Sequence, residues 1–404
     1  MNMNEIYDLI IIGGGAGGLS AGVYAARAKM KTLVLEEKRK TGGQCATTSE
    51  LENYPGILES TGPALMDNFR AHAEKFGVEF KRGKVENIKV ADDGFIKTII
   101  TKKGEEYFGK SVLIATGAEP RVLGIPGESE FRGQGVSYCA TCDADFFEEL
   151  DIVVVGSGNT AVEESVFLTK FVNKITMVVI HDEGTMDADK TAQEHCYANE
   201  KIDYLWNSTV AEIVGDDLVT GVKVKNIKSG EISEVACDGV FMFVGTVPRT
   251  DYVKDLVELN PQKYVKTTEK METNVPGIYA AGDVRDKFLR QVVTAAGDGA
   301  IAAVAAEKYI ESEENWQKNV LNEEKPVLVA FWSPINSDSM EMITKLEAGG
   351  QDVRKLVKVD AYKNSMLTER YEVKELPAIL RFESGKLVKR YDAPSKTEIE
   401  KLAV

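Results

Sequence analysis

The sequence predicts an α/β protein built from two parallel-sheet units and a smaller α/β domain at the C-terminal end. Three observations predict this. A strand, glycine turn and helix open the chain; the same pattern returns near residue 151; and a strand-and-helix texture restarts near residue 325 after a polar, charged stretch. At 404 residues the chain has room for about three domains.

The first unit begins with Tyr7-Asp8-Leu9-Ile10-Ile11-Ile12, an apolar run that flows into GGGAGG at 13–18 and then LSAGVYAARA at helical spacing. Gly13, Gly15 and Gly18 stand in G-x-G-x-x-G register, and Ala16 within the turn joins them as a cofactor-binding candidate. Glycines there let the backbone approach a pyrophosphate, while the helix N-terminus offers free N–H groups and the positive end of its dipole. The second strand, KTLVLEE, closes on Glu36 and Glu37; Glu36 is placed to accept from a ribose hydroxyl.

A second copy follows. DIVVVGSGNTAVEESVFLTKF carries Gly156, Gly158, Asn159 and Ala161 in G-x-G-x-x-A register, and KITMVVI is its second strand. Both units therefore read as Rossmann-like domains of the FAD/NAD(P) type, with two nucleotide sites or one site and a relic. A site for NADPH needs Arg or Lys after that second strand. This chain has Asp182, Glu183 and Asp187 behind His181, and like charges there discriminate against the extra phosphate. A solvated acidic loop is the plainer alternative.

Between the copies, SVLIATGAEP (111–120) is a buried strand whose Ala115-Thr116-Gly117 end suits close approach to another domain or to a cofactor. GVFMFVGTVPRT (239–250) is a comparable strand and turn, where the chain returns to the first unit. Residues 275–303 give a strand, a turn with Gly282 and Asp283, and a small-residue helix. There Asp283 can meet the ribityl chain of a cofactor, with the helix N-terminus facing a flavin ring. Residues 312–324 read as a polar linker, and 325–404 as the small α/β domain.

The chemistry centres on Cys139-Ala140-Thr141-Cys142-Asp143. Two thiols at C-x-x-C spacing can close a small disulfide ring and exchange two electrons. A zinc site would need a second ligand pair, and Cys45, Cys196, Cys237, His72, His181 and His195 supply none at matching spacing. An inert surface disulfide is the other alternative. Five cysteines in so long a chain point to a reducing compartment, and with no secretory signal in the N-terminal stretch the expected location is cytoplasmic. A formal charge of −15 argues against nucleic acid, and no apolar run is long enough to span a membrane.

Taken together, GGGAGG, GGQ at 42–44, NYPG at 53–56, ATG at 115–117, CATCD, GSGNTA at 156–161, Gly245–Pro248 as GxxP, GD at 282–283 and RQ at 290–291 resemble the low-molecular-weight thioredoxin reductases over about 1–311. The resemblance implies that 1–116 and 248–311 bind FAD and that 117–247 carry the redox pair. It also implies a homodimer whose domains swing against each other. It places Gly43, Gln44, Asn53, Thr116, Gly117, Gly282, Asp283, Arg290, Gln291 and Val292 with the glycines of the first turn and Glu36 around FAD. It makes Cys142 the sulfur near the flavin, Cys139 the one that attacks a partner disulfide, and Asp143 the proton shuttle.

Three departures stand out. The family's basic HRRxxxR signature is acidic here, so the expected donor is not NADPH; NADH, ferredoxin or a second flavin could take its place. Cys45 follows GGQ where the family usually has Leu; its partner position by analogy with glutathione-reductase-like enzymes is Glu50, so it is not expected to be redox-active. The tail resembles a thioredoxin domain with Pro377 at the cis-proline. Asn336-Ser337-Asp338-Ser339 replaces its C-x-x-C, and Ala330 replaces a buried Asp, which implies a redox-dead module for docking, dimerisation or stability. The expected function is a flavin-dependent disulfide reductase acting on a thioredoxin-like protein or a small disulfide. The alternatives are an oxygen-dependent dithiol oxidase and a non-catalytic flavoprotein sensor or scaffold.

Overall fold

The computed structural model describes residues 5–47, 51, 53–58, 60–92, 94–349 and 354–403. Glu50 lies outside them. The opening apolar run forms the strand Ile6–Ile12 at the centre of a mixed sheet, between the parallel strands Thr32–Glu36 on one side and Glu106–Ile114 on the other. Glu79–Arg82 extends the sheet beyond Thr32–Glu36, and Ile278–Ala280 pairs with Glu106–Ile114. From Leu9 to Ile12 the run is continuously apolar because both faces of the strand are buried there. Leu9 and Ile11 pack toward the helices Ala16–Arg27 and Val292–Trp316, and Tyr7, Ile10 and Ile12 pack toward Val85, Ile88 and Ile99 on the far side.

The strand order reverses between Ile6–Ile12 and Glu106–Ile114, so a crevice opens at their C-terminal ends. The register pairs Ile12 with Ile114, which sets the turn at Gly13 beside Ala115. The alanine-rich face of Val292–Trp316 lets it lie very close to the first helix: a Cβ on Gly299 would fall 2.0 Å from the Gly17 carbonyl oxygen.

The second unit repeats the plan. Its parallel sheet runs Ile202–Leu205, Lys174–Val178, Asp151–Val155, Gly239–Met242 and Val136–Ser137, so the strand that precedes Cys139 lies at the sheet edge. Ser208–Gly215, Val219–Asn226 and Ile232–Ala236 form an antiparallel sheet on this unit. The two chain segments that cross between units, Ala118–Pro120 and Thr246–Pro248, pair with each other as a short antiparallel ribbon.

The C-terminal unit is a four-stranded sheet in the order Lys355–Asp360, Val327–Trp332, Ala378–Glu383, Lys386–Asp392, with helices Ser337–Ala348, Ser365–Arg370 and Lys396–Ala403. The Leu376–Pro377 peptide is cis, and Ala330 is fully buried in the central strand. Most of the stretch expected as a linker, 312–324, is helical. The helix Val292–Trp316 runs into it and continues as a π-turn to Leu321. Glu313, Trp316 and Val320 are buried, at helical spacing, and Trp316 packs on Tyr371 and Phe382 of the C-terminal unit. Arg370 Nη1 donates to Glu313 Oε2 at 3.1 Å, and Lys110 Nζ reaches both Asp8 and Glu314 at 2.6 Å. The charge of ESEENWQK hid this buried stripe. Among the described residues no helix is long and apolar enough to cross a membrane.

Candidate active site

Three loops at the C-terminal ends of the first sheet, Gly13–Gly17, Ala115–Gly117 and Ala281–Asp283, wall a cleft of about 1710 Å³ that extends to the second unit. Gly13 has φ +105°, and a Cβ there would lie 2.4 Å from the Ala115 carbonyl oxygen; only glycine permits this turn. A Cβ on Gly18 would lie 2.0 Å from the Gly13 carbonyl oxygen, so the helix could not start so close to the strand with a larger residue. Gly15 faces open space, which leaves the backbone N–H groups of the turn approachable.

Glu36 lines the cleft as expected, but its carboxylate is also tied to the backbone: Oε2 accepts from Gly14 N and Oε1 from Lys38 N, both at 2.8 Å. Each oxygen keeps a lone pair for a ligand. Neighbouring Glu37 pairs with Lys84 and with Arg249 from the returning segment. Gly43 and Gln44 line the cleft, and the Gln44 amide donates to the Ala118 carbonyl. Thr116 Oγ1 donates to Arg249 O at 2.8 Å. Asn53 does not line the cleft; it sits at the surface and donates to Gln291 Oε1 at 3.3 Å. Gln291 and Thr294 make a capping box that starts the helix Val292–Trp316 at the cleft wall.

Asp283 stands in the wall with burial raising its pKa, and its Oδ1 is buried without a hydrogen-bond partner. Arg290 lines the cleft over the Tyr264 ring, with Nε likewise unpartnered. Tyr252, which carries no signal in the sequence, also lines the cleft, with its hydroxyl buried next to Thr116. A glycine cradle, a helix N-terminus facing the cleft, an acid at the ribose end and orphaned polar atoms midway fit an elongated dinucleotide such as FAD.

The second unit contributes the opposite wall. Cys139 and Cys142 form a disulfide that lines the same cleft, with Phe146 and Leu150 exposed beside it. Asp143 closes the short helix Ala140–Asp143, and its carboxylate accepts from Ser137 Oγ at 2.6 Å. Burial raises the Asp143 pKa, and the Ser137 hydrogen bond opposes the rise. Cys45 also lines the cleft, but burial pushes its thiol up to about 11, which disfavours the thiolate at neutral pH.

The second glycine turn lies outside this cleft. Gly156 repeats the backbone of Gly13, with φ +132° and Phe243 O in place of Ala115 O. Ala161 is fully buried where the first turn has Gly18. The loop that follows Lys174–Val178 folds against this turn. Ala188 N donates to Ser157 O at 3.0 Å, Ser157 Oγ donates to Asp187 at 3.3 Å, and Asn159 Oδ1 accepts from Asp189 N at 2.7 Å. Asp187 also bonds His181 Nε2 at 2.8 Å, and Asp182 pairs with Lys228 from the turn between Val219–Asn226 and Ile232–Ala236. The acidic loop is thus partly answered by a cation that is distant in sequence.

The chain matches the model of the pyridine nucleotide-disulphide oxidoreductase family over residues 7–299 and that of thioredoxin over 307–403. It is 48% identical over 317 residues to a thioredoxin reductase of Peptoclostridium acidaminophilum, covering 77% of this chain and 99% of the relative. To the thioredoxin reductase of Bacillus subtilis (strain 168) it is 43% identical over 321 residues, covering 79% of this chain and 100% of the relative. The crystal structure of thioredoxin reductase from Streptococcus pyogenes MGAS5005 superposes with a TM-score of 0.70 at 44% identity, over 76% of this chain and 99% of that one. Lactococcus lactis thioredoxin reductase in its FR conformation gives 0.56 at 43% identity, with the same coverage.

Proposed function

We propose a function on the premise that the chain belongs to the thioredoxin reductases of the pyridine nucleotide-disulphide oxidoreductase family. It is an FAD-dependent disulfide oxidoreductase, and our reading assigns its parts. FAD occupies the first glycine turn, and when bound it supplies two-electron chemistry to the disulfide on the opposite wall. The observation that carries this is the single cleft shared by Gly13–Gly17, Asp283 and the Cys139–Cys142 disulfide.

The half-reaction at the protein is a thiol–disulfide exchange. Two electrons break the Cys139–Cys142 bond, leaving both sulfurs reduced. The Cys139 thiolate attacks the disulfide of a thioredoxin-type partner, forming a mixed disulfide and expelling one partner thiolate, which takes a proton from Asp143. Cys142 then attacks Cys139, restoring the internal disulfide and releasing the second partner sulfur. The exposed Phe146 and Leu150 beside the pair suit an apolar partner surface.

The donor is not NADPH in this reading. Lys228 answers one of the three carboxylates at 182, 183 and 187, and the remainder still repel a ribose phosphate. NADH, reduced ferredoxin and a second flavin at the second turn are the donors compatible with that charge. A homodimer is supported by exposed Val293, Ile301 and Val304 on the long helix, together with Tyr24 on the first. The tail contains no cysteine, so in this reading it braces the first unit and exchanges no disulfide.

Two experiments test the assignment. Cys142→Ser should trap a covalent complex with an oxidised thioredoxin, visible on a non-reducing gel, whereas Cys139→Ser should not; the reverse pattern would invert the two roles. Stopped-flow reduction of the bound flavin by NADH, NADPH and reduced ferredoxin should show NADPH as slow. Fast reduction at micromolar NADPH would overturn the donor assignment.

A further inference from the structure

We propose that Ser137 is a positioning residue for the thiol–disulfide step: its hydroxyl fixes the Asp143 carboxyl beside the redox pair. The inference rests on the reading of Asp143 as proton donor given above. Ser137 ends the short strand Val136–Ser137, paired to Gly239–Met242 at the edge of the second sheet, and it is buried. Its position is therefore set by the sheet and not by the mobile chemistry of the thiols.

From that anchor the hydroxyl reaches two places at once. It donates to Asp143 at 2.6 Å and accepts from the backbone N–H of Cys139 at 3.1 Å, with the Cys139 carbonyl 3.3 Å away. One oxygen thus ties the start of the redox turn to the acid at its end, across the four residues in which the disulfide opens and closes. A donor to a carboxylate stabilises the charged form, while burial favours the neutral one. The two act in opposition on Asp143.

Other ionisable groups come from each neighbouring element. Tyr138 precedes the pair and gives its hydroxyl to Glu128 at 2.9 Å. Asp145, Glu148 and Glu149 follow it at the surface. Glu163 and Glu164 lie on the helix Asn159–Leu168, where burial raises the Glu164 pKa. Arg132 and Asp238 line the cleft from the second unit, and Asp283 and Arg290 line it from the first. Among the described residues, the side chain that bears on Asp143 is Ser137, whose hydrogen bond opposes the effect of burial.

The sign follows. Proton donation requires protonated Asp143, so the rate of partner reduction falls as pH rises through its pKa. Removing the hydroxyl leaves burial unopposed and moves that limb to higher pH.

The test is single-turnover oxidation of the dithionite-reduced protein by an oxidised thioredoxin, followed through flavin absorbance as a function of pH. Ser137→Ala should shift the alkaline limb upward by about one pH unit and lower the plateau rate, because the acid is no longer held in place. Ser137→Thr, which keeps the hydroxyl, should restore the wild-type limb. Asp143→Asn should abolish the limb. If Asp143→Asn abolishes it and Ser137→Ala superposes on wild type, the role of Ser137 is overturned and that of Asp143 stands. If Asp143→Asn keeps the limb, both are overturned. Flavin content reports folding of each variant; should the alanine variant lose flavin, Ser137→Val, which has the shape of the threonine variant without its hydroxyl and suits a strand, reads the same limb.

Discussion

At Gly13 and at Gly156 the chain makes the same turn. A Cβ at either position would sit 2.4 Å from a carbonyl oxygen, of Ala115 in the first unit and of Phe243 in the second. The surroundings differ. The first turn opens into a large cleft in which the same unit presents unpartnered polar atoms of Asp283 and Arg290, whereas the second is covered by a loop that bonds Ser157 and Asn159 and brings carboxylates with it. A glycine motif fixes a backbone; the side chains delivered by neighbouring strands decide what that backbone can hold.

The sharpest way to break this comparison is to put the same side chain in both turns. Gly13→Val and Gly156→Val impose the same clash at positive φ, a strain of about 3 kcal/mol or more. Gly13→Val should leave purified protein with bound flavin reduced about tenfold or more. Gly156→Val should lower thermal stability yet retain flavin. Equal flavin loss in both would mean that the first turn is not the flavin site.

A second prediction inverts the charge of the covered turn. Replacing Asp182, Glu183 and Asp187 together with Arg should raise the rate of flavin reduction at low NADPH by about a hundredfold, ~2–3 kcal/mol of recovered attraction. An unchanged rate would show that this loop does not read the donor. The smallest effect comes from Asp189, which caps the helix Lys190–Tyr197 by accepting from Ala192 N at 3.0 Å. Asp189→Ala should cost about 1 kcal/mol and lower the melting temperature by a few degrees, with flavin content untouched.

The local patterns were legible in the sequence. Strand, turn and helix at each glycine motif, the C-x-x-C and the acid after it all depend on residues close together in the chain, and Asp283 falls where its strand ends. What escaped was set by tertiary pairing. Lys228 meets Asp182 across 46 residues because a hairpin folds back toward the loop. Arg249 meets Glu37 because the two crossing segments pair. The helix through 312–321 looked like a linker because its charged residues outnumber the buried Glu313, Trp316 and Val320, and even Glu313 is buried only because Arg370 is there to pair with it. Ser137 gave no signal, since a serine before a C-x-x-C is ordinary until the sheet edge aims it at Asp143.

The central claim is that the flavin and the Cys139–Cys142 disulfide form one electron path across one cleft. Anaerobic titration with dithionite tests it directly. Wild-type protein should take up roughly four electrons per chain, two for flavin and two for the disulfide, and Cys142→Ala roughly two. Equal uptake by the two proteins would contradict it.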